Sequence, residues 1–277
     1  MGDEPDSLAF WRGMLDGRRR PSASISVRAP RERARSSGAG AFLALADNGR
    51  QYWVKVPGNP QGDQVLVNEV IVGELGRVLG APVRERVLVV VPPSVTGWSD
   101  FPTRRSAVAL VAHGSLHVQG AVDDDALRYT KRDDNSRRQA AMVGLWDLCV
   151  GEDPQWLYET GAAYSMWSYD HGLWFATGEG DWNEGVLRRL VHAHAELVDL
   201  PRGINAERLR ELAESIDGLT VEVLLSVVSA VPVEWGTGDR DLEAMAWFLY
   251  SRRRPVANRL RRRADSSSSE RSTGASI

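Results

Sequence analysis

Cysteine and lysine are nearly absent from this 277-residue chain. Its single cysteine, Cys149, excludes an intramolecular disulfide and a cysteine-built zinc site, which fits a reducing compartment. Trp146, Leu148 and Val150 around it mark Cys149 as a small buried hydrophobe. No stretch approaches the ~20 consecutive apolar residues that a bilayer crossing needs. The opening Gly2-Asp3-Glu4 also lacks the basic-then-apolar order of a signal peptide, so the expected location is cytoplasmic, with no membrane partner. Excess charge of one sign is missing as well: a formal net charge of -3 gives no general pull toward nucleic acid or an anionic surface, and a nucleic-acid partner is not expected. Of 34 basic residues only Lys55 and Lys131 are lysines, leaving 32 arginines. In such a chain a lysine asks for a specific reason.

What is present is ordinary in bulk. An apolar fraction of 43% and a charged fraction of 26% describe a globular chain long enough for one large domain or two lobes sharing a cleft. Residues 1–24 are polar and arginine-rich and read as a loosely held leader, and 264–277 is a low-complexity serine-rich tail expected to be disordered. Between them two regimes follow one another. Over 25–112 the signals are mostly strand: alternation from Ile25, an apolar run from Phe42, the hairpin turn Asp47-Asn48-Gly49, a return strand Gln51 to Val56, and apolar strands at 86–91 and 107–112. One helix is predicted over 64–79, from the spacing of Val67, Ile71, Leu75 and Val78 before Gly80 and Pro82. Over 113–263 the pattern is helical, with helices predicted at 136–150, 184–197, 206–215, 221–228 and 239–251. A short β-like insert interrupts them at 156–158 and 164–169. The expected fold is a two-lobed α+β arrangement: a small antiparallel sheet with one helix, then a mainly helical lobe.

Phosphoryl transfer asks little covalent chemistry of a protein. It needs a cation on the phosphates, carboxylates for Mg²⁺, and a carboxylate that orients the attacking group. Lys55 stands mid-strand among Trp53, Val54 and Val56, where an ammonium is costly without a partner. Glu69, fourteen residues on in the predicted helix, can supply that partner. Upstream, Ser36-Ser37-Gly38-Ala39-Gly40 is a small-residue turn between strands, and Gly38 and Gly40 could let backbone N–H groups approach phosphates. Asp153 and Asp170 lie seventeen residues apart at the two ends of the predicted insert; a hairpin there brings its ends together and turns both carboxylates to one cleft.

Tyr52-Trp53-Val54-Lys55-Val56, Asn59-Pro60-Gln61-Gly62 and Leu66-Val67-Asn68-Glu69 resemble the HipA-like kinase family, and Tyr169-Asp170-His171-Gly172-Leu173-Trp174-Phe175 resembles its metal-binding motif. The resemblance spans roughly 25–182. It implies a protein-kinase-like fold, Ser/Thr protein kinase activity with ATP and Mg²⁺, and the toxin role known for some members, which leaves room for a regulatory partner. It implies that Lys55 contacts the ATP phosphates, Glu69 pairs with it, Asp153 is the catalytic-loop aspartate and Asp170 holds the metal. The family's loop usually reads Asn-x-Asp-Arg with a metal-binding Asn soon after. This chain has Gly151 and Pro154 in place of the first Asn and the Arg, and Gln155 is the candidate metal ligand in place of the second Asn. The stretch 176–181 is shorter than a conventional activation loop. Two other classes stay open here. One is a pseudokinase that binds nucleotide or scaffolds; the other is a phosphotransferase for small molecules or lipid head groups, which would have a deep walled acceptor pocket in the helical lobe.

Other polar clusters have simpler readings. His192 and His194 point to different faces of a predicted helix, and His113 and His117 read as a polar hinge. Asp123-Asp124-Asp125 reads as a solvated helix start, and Arg252–Arg254 with Arg259–Arg263 as a solvated basic face.

Overall fold

Residues 4–175 and 182–273 are described by the structure, a computed structural model, with backbone alone from 267 onward. Alternating side chains and tight turns build the first lobe. In β1 (Ile25–Arg33), β2 (Phe42–Ala46) and β3 (Gln51–Lys55), the pairs Phe42–Val54 and Ala44–Tyr52 put one face of the ribbon into a shared core with Val27. The β2–β3 turn uses Gly49 at φ 78° while the Asn48 side-chain Oδ1 accepts from Arg50 N–H at 3.0 Å. After α1 (Gln64–Leu79) come β4 (Arg86–Val91), the short helix α2 (Pro93–Thr96) and β5 (Leu110–Leu116). The strands pair in the order β1-β2-β3-β5-β4, antiparallel except where Ile25 and Ser26 run parallel to Val89 and Val90 and close the sheet into a barrel. β5 begins three residues later than predicted because Ser106 Oγ and the Val108 backbone bond to each other and hold 106–108 in a turn. The barrel lobe therefore runs past 112.

The helix α1 is buried nearly all round, and its Val65, Leu66, Val70, Ile71 and Leu75 belong to the core of the helical half rather than that of the barrel. It is a wedge between the lobes. Gly76 permits this, since a Cβ there would press into the Val83 methyls of the following loop.

The second half starts with β6 (Ala121–Asp124), a strand where helix was expected. Val122 pairs with Tyr158, and Asp124, instead of opening a helix, accepts from Ala126 N–H at 2.9 Å and from the Arg128 guanidinium. Then follow α3 (Asn135–Leu148), the hairpin β7 (Trp156–Glu159) and β8 (Ser165–Ser168), and the helices α4 (Glu184–Leu190), α5 (Ala206–Asp217), α6 (Val221–Ser229) and α7 (Asp239–Thr273). β6, β7 and β8 form a small sheet. α4 stops well before 197 because the buried Arg252 guanidinium takes the Leu190 and Ala193 carbonyls, both at 2.8 Å. Among the described residues no helix is long and apolar enough to cross a membrane.

Both termini depart from their expected looseness. Leu8, Trp11 and Leu15 sink into the helical core, Trp11 Nε1–H donates to the Pro5 carbonyl at 2.8 Å, and Leu15 N–H donates to Glu243 at 3.1 Å. The polar composition hid three apolar residues spaced to cover one face of α7. At the other end α7 continues into the serine-rich stretch, with Ala264 buried and Asp265 paired to Arg210 at 2.9 Å. Residues 274–277 and the shortened loop 176–181 lie outside the described residues.

Trp11→Ala should cost about 3–5 kcal/mol in denaturant unfolding, the usual loss for a buried tryptophan. A change below about 1 kcal/mol would show that the leader is not part of the core.

Candidate active site

Lys55 is the last residue of β3, opposite His113 of β5, and is 6% exposed. Its Nζ lies 2.5 Å from Glu69 Oε1 and 2.6 Å from Asp170 Oδ1. Burial alone would push the ammonium to release its proton, but Asp170 and Glu69 outweigh it and hold Lys55 well above the ordinary lysine range. Burial likewise opposes the Glu69 charge, and Lys55, with help from His171, outweighs it and keeps that carboxyl well below its ordinary value. The ion pair that the fourteen-residue spacing suggested is thus formed, and Asp170 joins it from the other lobe.

Three sets of contacts bring Asp170 there. The β7–β8 hairpin closes with Trp156 opposite Ser168 and Tyr169 N–H donating to Gln155 O at 3.4 Å, so the loops at its two ends lie side by side. Phe175 N–H donates to Cys149 O at 3.1 Å, tying the Asp170 loop to the one that leads to Asp153. Beneath them Arg252 donates to Leu148 O at 2.9 Å, and the Asp147 carboxylate accepts from Arg259 at 2.7 Å, fixing the end of α3. Val150, Asp153, Asp170 and Phe175 all have left-handed backbones, with φ 49°, 52°, 56° and 69°. Non-glycine residues adopt that region at a cost, and four in two adjoining loops mark a place where geometry is imposed.

Asp153 is exposed, and its Oδ2 accepts from Gln155 Nε2 at 2.6 Å. The structure therefore links these two candidates to each other. Neither is hydrogen-bonded or ion-paired to Lys55. The Tyr169 phenol reports their common neighbourhood: burial first, then the charges of Asp123, Asp170 and Asp153, push it up to about 12. Among the described residues, no group of three or more His, Cys, Asp or Glu side chains is placed to hold a metal unaided. Among the described residues Asp170 Oδ2 and Gln155 Oε1 take no hydrogen bond, so each is a hard oxygen open to a cation.

The glycine turn is less directly connected. Gly40 sits at φ 67° and its N–H donates to Ser37 O at 3.1 Å, so this N–H is spent within the turn. Gly38 is exposed beside the Gln61 side chain.

Two further neighbours of the site have roles that the sequence reading did not give them. Asn68, fully buried, donates to Gly172 O at 2.6 Å and Trp174 O at 2.9 Å and accepts from Trp182 Nε1–H at 2.7 Å. Its signal was an amide in the middle of an otherwise apolar helix face. His113 is no hinge. It is buried behind Lys55, its Nδ1 makes no hydrogen bond, and burial lowers its pKa to about 4. A cavity of about 430 Å³ in the helical lobe, lined by Asp147, His194 and Arg259 among others, includes no residue of the Asp153 or Asp170 loops.

No family model matches this chain and no curated protein matches it. Among solved structures it is similar to the Helicobacter pylori proinflammatory kinase CtkA, with a TM-score of 0.56 and 12% identity over 89% of this chain and 98% of that one. A Golgi casein kinase with Mn/ADP bound is more distant, with a TM-score of 0.43 and 11% identity over 91% and 76% of the two chains. The likeness to the first establishes a two-lobed kinase-like fold.

Because the His113 pKa is depressed in the folded chain, the unfolded chain takes up a proton below pH 6.5 that the folded chain refuses until about 4. The neutral ring therefore costs stability as pH falls through that window, and nothing above it. Between pH 7 and pH 5 the loss should be about 2 kcal/mol, and His113→Leu should flatten the slope in chemical unfolding. An unchanged slope would contradict a neutral buried ring.

Proposed function

We propose that this chain is a HipA-like, ATP-dependent kinase that transfers the γ-phosphate to a Ser or Thr hydroxyl of a protein. The observation that carries the proposal is the buried Lys55 ammonium held between Glu69 on α1 and Asp170 after β8. Lys55 would meet the α- and β-phosphates, with Glu69 fixing its position. Asp170 and Gln155 would hold Mg²⁺, whose charge offsets that of the phosphates. Asp153 would accept a hydrogen bond from the attacking hydroxyl, with the Gln155 amide steering its carboxylate. The Gly38 turn would cover the phosphates. The resemblance of residues 52–56, 59–62, 66–69 and 169–175 supports the HipA-like assignment beyond the fold.

The acceptor is assigned from access. Asp153 is exposed, and the helical-lobe cavity does not adjoin it, so a hydroxyl on a protein surface fits better than a small molecule in a walled pocket. Cys149 is buried, and burial pushes its thiol far up, which suits a chain that works in the reducing cytoplasm without redox chemistry. One observation favours the pseudokinase reading: Asp153 is partnered by a glutamine amide where the family has an arginine next in sequence, and Pro154 occupies that place.

Incubation of the full chain with γ-labelled ATP, Mg²⁺ and a cell-protein mixture decides between them. Label transfer is expected from the parent, with losses of about 100-fold or more in Asp153→Asn and Asp170→Asn. Binding of Mg·ATP without any transfer would overturn the kinase reading in favour of a nucleotide-binding module.

A further inference from the structure

Asp-His-Gly at 170–172 contributes its aspartate to the proposed metal site, but the histidine beside it has no part in that chemistry. His171 is 4% exposed. An apolar ring would fill the same space, since the imidazole packs edge-on against Trp174 with centroids 4.8 Å apart. A buried imidazole asks for partners at both nitrogens, and it has them. Nε2 lies 2.8 Å from Ser168 Oγ and Nδ1 lies 3.2 Å from Glu69 Oε2. The carboxylate can only accept, so one hydrogen arrangement satisfies every group in a neutral ring: Nδ1–H donates to Glu69, and Nε2 accepts the Ser168 hydroxyl hydrogen. Each carboxylate oxygen of Glu69 then has its own donor, Lys55 on Oε1 and His171 on Oε2.

We propose that His171 is a positioning residue that locks Glu69 to the Asp170 loop and so fixes Lys55 between its two carboxylates. The connection runs from Ser168 through His171 and Glu69 to Lys55, and returns through Asp170 to the residue next to His171. This closed circuit crosses both lobes. Parallel bonds reinforce it: Asn68, the neighbour of Glu69, holds Gly172 O and Trp174 O, and Ser168 N–H donates to Pro82 O at 2.6 Å in the loop after α1. The apolar burial of α1 in the helical core acts in the same direction. α1 and the Asp170 loop are thus tied into one block.

The kinetic consequence rests on the kinase reading, whereas the hydrogen arrangement does not. Nitrogen-15 NMR of the unliganded full chain reads the latter directly among five histidines, with His171→Asn as the assignment control. The Nδ1–H tautomer is expected for His171, although free histidine favours Nε2–H. A ring protonated at Nε2 alone, with no hydrogen on Nδ1, overturns the lock whether or not the protein turns over ATP. In label-transfer kinetics, His171→Phe should lower kcat about tenfold or more with the ATP KM within about threefold, because alignment is lost while contacts to ATP are not. His171→Asn, whose Nδ2 can replace Nδ1–H, should recover most of kcat. A rise in KM at unchanged kcat, or no recovery in the asparagine variant, overturns the positioning role. Absence of turnover in the parent would instead sink the kinase reading and leave the tautomer to decide this one.

Discussion

The site depends on an ammonium group removed from water. Lys55 has almost no solvent to stabilise its charge, so two carboxylates must supply what hydration would have given. One comes from the wedge helix and the other from the far lobe. Removal of either leaves the opposite charge partly uncompensated in a low-dielectric setting. The interaction therefore constrains more than one side chain: it holds α1 at a fixed height, the β7–β8 hairpin at a fixed register, and the two lobes at a fixed separation.

The surrounding structure keeps that arrangement from relaxing. α1 has little freedom to slide, because its apolar residues other than the exposed Val78 engage the helical core. Arg252 and Asp147 hold the end of α3 with buried charge-assisted bonds, and from there the chain runs to Asp153 with left-handed backbones at Val150 and Asp153. Strain in the loops is offset by rigid packing beneath them. The arginine-rich stretch that reads as a solvated basic face is thus divided in role: Arg252 and Arg259 are internal fasteners, while Arg254 and Arg262 face solvent.

The fold was largely legible because its determinants are local. The hairpin turn at Asn48-Gly49, the helical spacing from Val67 to Val78 and the apolar returns at 86–91 are decided by neighbours in the chain. Lys55 was legible for another reason, since an ammonium is costly mid-strand; Glu69 followed from its spacing to Lys55, and Asp170 from its place at the end of the hairpin and the resemblance of 169–175. What escaped was set by distant contacts. β6 exists because β7 pairs with it, α4 ends early because Arg252 takes its carbonyls, and the leader is ordered because α7 offers a face for Trp11. His113 and Asn68 carry ordinary names in the sequence and gain their roles only once the lobes meet. The histidine of Asp-His-Gly was visible, but its tie to Glu69, 102 residues away, was not.

Nucleotide and metal binding at Lys55, Glu69 and Asp170 is the first requirement of the proposed kinase. Calorimetric titration of ATP into the full chain, with and without Mg²⁺, tests it most directly. The parent should bind one ATP more tightly with Mg²⁺ than without, and Asp170→Asn should abolish that metal-dependent gain while retaining metal-free binding. ATP binding that is absent in the parent, or a metal-dependent gain that survives in Asp170→Asn, would contradict that role.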